Sequence, residues 1–284
     1  MKILLTGAAG FTGLFFRSQA EAQGHQIVAL AADLTDKQAL LAEVASVVPD
    51  AVVHLAAISF VGHADESAIY GVNVVGTTNL LSALATLSTP PKCVLLASSA
   101  NIYGNCEASP ITEKQAAAPI NHYAMSKLAM EHMALTYSDR LPIVLARPFN
   151  YIGPGQAPQF LIPKLIRHFV QKAEEIELGN LEVEREFNDV RMVCDAYLRL
   201  LLKGVPGEAY NVCTGQAYTL PHLIFTLEQI TGHRINVRVN PAFVRPNEVH
   251  RLCGDASKLK HAIGALEEHA LKDTLEWMLQ SYVD

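Results

Sequence analysis

The chain has 284 residues, half of them apolar, and a net charge of −6 at pH 7, which is enough sequence for one large α/β domain or a main domain with a smaller companion. Polar residues break the apolar stretches well short of a membrane-spanning length, and the acidic balance is opposite to what a general electrostatic hold on nucleic acid requires, so neither partner is expected. Five cysteines without a Cys-x-x-Cys pair and eleven histidines without a His-x-x-x-His spacing argue against a disulfide framework and against a bound metal. No basic, apolar and small-residue series of the signal-peptide kind precedes the first strand pattern, so the cytoplasm is the expected location.

Along the first half, short β-branched runs at 2–5, 26–30, 51–55, 92–97 and 142–146 alternate with amphipathic patterns at 13–23, 37–47, 69–86 and 123–137. That alternation predicts an α/β, Rossmann-type, doubly wound parallel sheet. Gly7-Ala8-Ala9-Gly10-Phe11-Thr12-Gly13 lies between the first strand and the first helix. Glycines there let the backbone approach a pyrophosphate, and the helix start offers unpaired N–H groups, so NAD or NADP is the expected cofactor. The second strand ends Leu30-Ala31-Ala32, with neither the acidic residue usual for NAD nor the arginine usual for NADP, and passes at once to Asp33-Leu34. Choice between the two dinucleotides is left open.

Ser98-Ser99-Ala100-Asn101 follows the fourth strand pattern, at the carboxyl end where an open parallel sheet presents reactive groups. Tyr123 and Lys127, four apart, share one face of a helix. A tyrosine titrates at about 10, so acid/base work near neutrality asks for roughly 4 kcal/mol of phenolate stabilisation, which an adjacent ammonium supplies. After Pro148 the texture changes to Gly/Pro-punctuated segments with helical patterns at 161–172 and 220–231. Residues 1–150 are therefore expected to form the dinucleotide-binding domain and 151–284 mainly a substrate-binding region, with some elements returning to the main sheet.

Glycine turn, serine-bearing strand end and Tyr-x-x-x-Lys, in this order, resemble the extended short-chain dehydrogenase/reductases over nearly the whole chain. The segments Arg147-Pro148-Phe149-Asn150-Tyr151-Ile152-Gly153-Pro154-Gly155-Gln156, Gly179-Asn180-Leu181, Arg185-Glu186-Phe187-Asn188-Asp189-Val190, Tyr210-Asn211-Val212 and Arg245-Pro246-Asn247-Glu248 narrow this to the GDP-mannose 4,6-dehydratase and GDP-6-deoxy-4-keto-mannose reductase group. One departure is Met192 after Arg191, near a position where that family commonly carries an aspartate anchoring the next helix.

The resemblance implies Ser99, Tyr123 and Lys127 as the catalytic set. It implies cofactor contacts from Gly7, Gly10, Phe11, Thr12, Gly13, Asp33, Leu34, Leu55, Ala56, Ala57, Tyr123 and Lys127, with Asp33 at the adenine. Ser59, Ser99, Asn101 and Asn150 would touch substrate, Arg185 and Arg245 would hold its phosphates, and Glu248 would accept from a ribose. Members pair two helices across a dimer axis, and the apolar stripe Met125, Leu128, Ala129, Met133, Ala134 fits a homodimer.

Dehydratases of the group place carboxylates just after the catalytic Ser/Thr, where this chain has Ala100 and Asn101, so dehydration is disfavoured. Reduction of a nucleotide-linked 4-keto-6-deoxy sugar, GDP-6-deoxy-4-keto-mannose first, is the leading expectation. A nucleotide-sugar epimerase is the alternative, and a nucleotide-binding regulator without catalysis is the third.

Overall fold

The computed structural model describes residues 1–60, 64–244 and 249–282. The chain opens with β1 (Lys2–Thr6), α1 (Phe11–Ala22), β2 (Gln26–Ala29), α2 (Lys37–Val47) and β3 (Ala51–His54). The expected 69–86 helix is composite: α3 (Glu66–Tyr70), a π-helical turn (Gly71–Gly76) and α4 (Thr77–Leu84). Then come β4 (Val94–Ala97), α5 (His122–Leu135) and β5 (Ile143–Pro148). Local chemistry sets the helix starts: Asp36 accepts from Gln38 and Ala39 N–H, Asp65 from Ala68 N–H and Asn121 from Ala124 N–H.

Beyond residue 150 run β6 (Tyr151–Ile152), α6 (Leu161–Val170), β7 (Glu175–Leu178), β8 (Glu184–Glu186), β9 (Asn188–Asp189), α7 (Val190–Lys203) and β10 (Ala209–Val212). They are followed by β11 (Ala217–Thr219), α8 (Leu220–Thr231), β12 (Asn236–Val239), β13 (Arg251–Leu252), α9 (Ser257–Ile263) and α10 (Leu271–Gln280).

Among the described residues, a six-stranded parallel sheet has the order β10-β5-β4-β3-β1-β2. Its central strands β1, β3 and β4 are buried along nearly their whole length, as in a sheet covered on both sides. Ile3, Leu5, Val53 and Leu95 meet α1 and α7 through Phe16, Ala20, Val193 and Tyr197. Leu4, Val52, Leu96 and Leu145 meet α2, α4 and α5 through Leu40, Val44, Leu81 and Met130. Since β1 has β2 on one side and β3 on the other, the winding direction reverses at β1, and the crevice beyond its carboxyl end is where such a sheet binds ligands.

The last half of the chain supplies β10 and α7 to this body and builds a second cluster from α6, α8 and α10, including Leu165, Phe169, Leu223 and Leu275. The pair β6–β9 joins the two at the crevice, matching Tyr151 with Asn188. Despite Met192, α7 is anchored at its start: Asp189 accepts from the Arg191 backbone at 2.8 Å, from its guanidinium at 2.7 Å and from Thr274 Oγ1 at 2.8 Å.

Candidate active site

A cavity of about 840 Å³ opens at this crevice. Its floor is the glycine turn. Gly7 has φ +69°, and a Cβ on it would lie 2.8 Å from the Ala56 nitrogen; a Cβ on Gly13 would lie 2.1 Å from the Gly7 oxygen. Only hydrogen fits at either place. The first turn of α1 has no side-chain cap, so its N–H groups and partial positive charge face the cavity beside Gly10, Phe11 and Thr12. These features fit the pyrophosphate of a dinucleotide.

Beneath the turn, buried polar groups close a network. Thr6 Oγ1 accepts from the Leu55 and Ala56 N–H groups at 3.2 and 3.1 Å and meets His54 Nδ1 at 2.7 Å. His54 Nε2 meets Thr77 Oγ1 at 2.8 Å, and Thr77 donates its own proton to the Asn73 carbonyl at 2.7 Å. Thr77 therefore accepts from Nε2–H, and Thr6 donates to a bare Nδ1. Burial first, then the nearby Lys127 charge, push the His54 pKa down to about 3, so the ring is neutral.

The strand end and α5 bring Ser99, Tyr123 and Lys127 to one wall of the cavity. Ser99 Oγ accepts from Asn101 N–H at 3.2 Å and from Asn101 Nδ2 at 3.1 Å. With both lone pairs engaged, its proton is directed outward as a donor. Burial raises the Tyr123 pKa above the usual phenol value, and the Ser99 hydroxyl pulls it partly back. Tyr123 is thus a neutral proton donor at pH 7. Lys127 does not engage the phenol directly here: its Nζ donates to the Ala97 carbonyl at 2.7 Å. Burial lowers Lys127 to about 8, opposed by Glu131 one helical turn on, which forms a buried pair with Arg147 at 2.6 Å.

Gly7, Gly10, Phe11, Thr12, Gly13, Leu55, Ala57, Ser59, Asn101, Asn150 and Arg185 also line the cavity. Asp33, Leu34 and Ala56 do not. Asp33 is exposed and accepts from Thr35, Leu34 is buried against Gly76, and the Ala56 N–H is committed to Thr6. Arg185 donates to the carbonyls of Glu184, Val249 and His250, so its guanidinium is oriented by backbone where it lines the cavity. Arg245 and Glu248 lie outside the described residues.

Three positioning residues escaped the sequence reading. Asn73, in the π turn, exchanges hydrogen bonds with the Ile58 backbone at 2.9 and 3.0 Å and donates to Ser126 Oγ at 3.0 Å, tying the 55–60 wall to α5. A π turn inside a helix often marks such a place, but 69–86 reads as one helix from periodicity. Asn121 caps α5 while lining the cavity. Tyr151 also lines it, its ring parallel to Phe11 with centroids 6.0 Å apart and its hydroxyl 2.8 Å from Thr12 Oγ1.

Glycine cradle, switch-point crevice and serine/tyrosine/lysine wall together are the equipment of a nicotinamide-dependent dehydrogenase or reductase. A profile of the GDP-mannose 4,6-dehydratase family matches residues 15–278, and the chain belongs to that family. It is 38% identical to GDP-6-deoxy-D-talose 4-dehydrogenase of Aggregatibacter actinomycetemcomitans, covering 93% of this chain and 92% of the relative. It is 34% identical to GDP-6-deoxy-D-mannose reductase of Pseudomonas aeruginosa, covering 99% and 97%. The structure of RMD from Pseudomonas aeruginosa complexed with NADPH superposes with a TM-score of 0.90 at 33% identity, covering 99% of this chain and 98% of that one. UDP-glucose 4-epimerase of Bacillus subtilis is a more distant relative, 26% identical over 99% of this chain and 97% of its own. The chain is an NAD(P)-dependent enzyme of this family. Among the described residues, no helix is long and apolar enough to cross a membrane.

Proposed function

We propose that this protein reduces the 4-keto group of a nucleotide-diphosphate-linked 4-keto-6-deoxyhexose, with GDP-6-deoxy-4-keto-mannose the first candidate, acting in the cytoplasm with NADH or NADPH. The observation that carries the reading is the make-up of the cavity wall. Among its described residues there are serine and tyrosine hydroxyls and two cations, Lys127 and Arg185, but no carboxylate, imidazole or thiol. Removing a proton from C5 and expelling the C6 hydroxyl needs a further acid/base, so dehydration finds no support. Reduction needs only a donor at the carbonyl oxygen.

The bound dinucleotide supplies the hydride. The chain supplies the rest. Ser99 directs its proton to the carbonyl oxygen and polarises it, and Tyr123, held neutral by burial, delivers the proton to the forming alkoxide. Lys127, an ammonium at neutral pH on the adjacent turn, stabilises the phenolate that remains. Arg185 offers the diphosphate a cation that its carbonyl partners already orient. In this reading residues 1–150, with β10 and α7, hold the dinucleotide, and the α6, α8 and α10 body holds the nucleotide sugar.

Purified protein is incubated with reduced cofactor and GDP-, dTDP- or UDP-linked 4-keto-6-deoxyhexose, following absorbance at 340 nm and the product sugar by NMR. Stoichiometric cofactor oxidation with formation of a 4-hydroxy sugar is expected, fastest with the GDP-linked substrate. Interconversion of two 4-hydroxy epimers without net cofactor use would replace reductase with epimerase.

A further inference from the structure

We propose that Glu43 makes this protein select NADH over NADPH, its carboxylate standing where the adenosine ribose of the dinucleotide would lie. This rests on the reading that the cavity binds a nicotinamide dinucleotide. In folds of this kind the ribose lies beyond the end of the second strand, where a carboxylate accepts from a 2′-hydroxyl and a cation receives a 2′-phosphate. Leu30, Ala31 and Ala32 occupy that stretch and carry neither group.

The structure brings one in from another element. Glu43, on α2, reaches back so that Oε1 accepts from Ala31 N–H at 2.8 Å and Oε2 from Ala32 N–H at 2.7 Å. The place directly follows the end of β2, the strand paired with the one that leads into the phosphate-binding turn. β1 and β2 pair with Leu5 opposite Ala29, and Leu30 N–H continues the ladder to the Leu5 carbonyl at 2.9 Å. Ala31 and Ala32 thus lie two and three residues past the last β2 residue paired with β1, and the glycine turn begins two residues past Leu5. Each carboxylate oxygen keeps a second lone pair for a ribose hydroxyl, and Glu43 is only half-buried.

The surrounding charges point the same way. Between residues 30 and 44 the chain carries Asp33, Asp36 and Glu43 against Lys37 alone, and the glycine turn over residues 7–13 carries no charge. A 2′-phosphate would meet carboxylate without a compensating cation at either strand end. A 2′-hydroxyl would meet an acceptor.

The test is equilibrium binding of NADH and NADPH, read by nucleotide fluorescence, to the wild type, Glu43→Gln and Ala31→Arg. We expect the wild type to bind NADH at least tenfold more tightly than NADPH. Glu43→Gln should narrow the ratio to within about threefold, and Ala31→Arg should tip it toward NADPH. If Glu43 served only to hold the loop, Glu43→Gln would weaken both nucleotides equally and leave the ratio unchanged, which overturns the proposal. Equal or tighter binding of NADPH by the wild type also overturns it. In both cases the dinucleotide reading survives, whereas wild-type protein that binds neither nucleotide removes that reading and the proposal together.

Discussion

Burial sets the resting protonation state of Tyr123. Burial raises its pKa, and Lys127 is held on the Ala97 carbonyl rather than on the phenol, so the resting tyrosine is protonated and suited to giving a proton to a carbonyl. Asn101 has the complementary effect on Ser99, occupying both lone pairs so that only its proton is on offer. Tyr123→Phe should keep the fold and the affinity for reduced dinucleotide, because the ring still fills its place, while kcat falls about 10²-fold or more for want of a proton carrier. Steady-state kinetics beside a cofactor titration would check this, and near-wild-type kcat would remove the tyrosine from the mechanism. The serine, tyrosine and lysine were legible in the sequence because a four-residue helical spacing and a strand end are local patterns. The bond from Lys127 to Ala97 was not, since it joins residues 30 apart and depends on how α5 lies across β4.

The same division holds for elements. Strands at the sheet centre and the helices between them announce themselves by apolar runs and periodicity, and the structure places them within a few residues of those patterns. Elements whose character is tertiary did not announce themselves. β10 is a four-residue strand that forms only by pairing with β5, and the π turn takes its purpose from Asn73 reaching two other segments. The network Thr6–His54–Thr77–Asn73 couples β1, β3 and the α3–α4 helix behind the glycine turn, and it requires a neutral imidazole. His54 has a folded pKa of about 3 against a reference of 6.5. Because it is depressed on folding, the unfolded chain takes up the proton first as pH falls, so its contribution is fully present above pH 6.5 and is lost between 6.5 and about 3. Between pH 7 and pH 5 this amounts to about 2 kcal/mol of unfolding free energy. Urea denaturation at the two pH values should show that loss in the wild type, and His54→Gln, though less stable at pH 7, should show it reduced by about the same amount. An unchanged pH dependence in the variant would mean that another group titrates.

At the scale of the whole molecule the question is what covers the outer face of α4 and α5. The apolar stripe of α5 divides once the fold is known: Ala134 turns inward and is fully buried, Leu128, Ala129 and Met133 are half-buried, and Met125 is 43% exposed. Val75, at the π turn leading into α4, is 53% exposed. A single exposed methionine or valine needs no explanation. Here, however, the exposed and half-buried residues Met125, Ala129 and Met133 recur at four-residue intervals along one helix, the geometry with which two helices pack side by side. A face of this kind repeated on a second copy is self-complementary about a two-fold axis, and burying it would also stiffen α5, the helix that carries Tyr123 and Lys127. We therefore expect a homodimer built on α4 and α5. Light scattering at micromolar concentration should give twice the 30.9 kDa chain mass. Ala129→Glu, which sets two like charges against each other at the axis, should shift the mass to that of one chain while circular dichroism stays unchanged. A wild-type mass of one chain would refute the dimer, and a dimer that survives Ala129→Glu would place its interface on a different face.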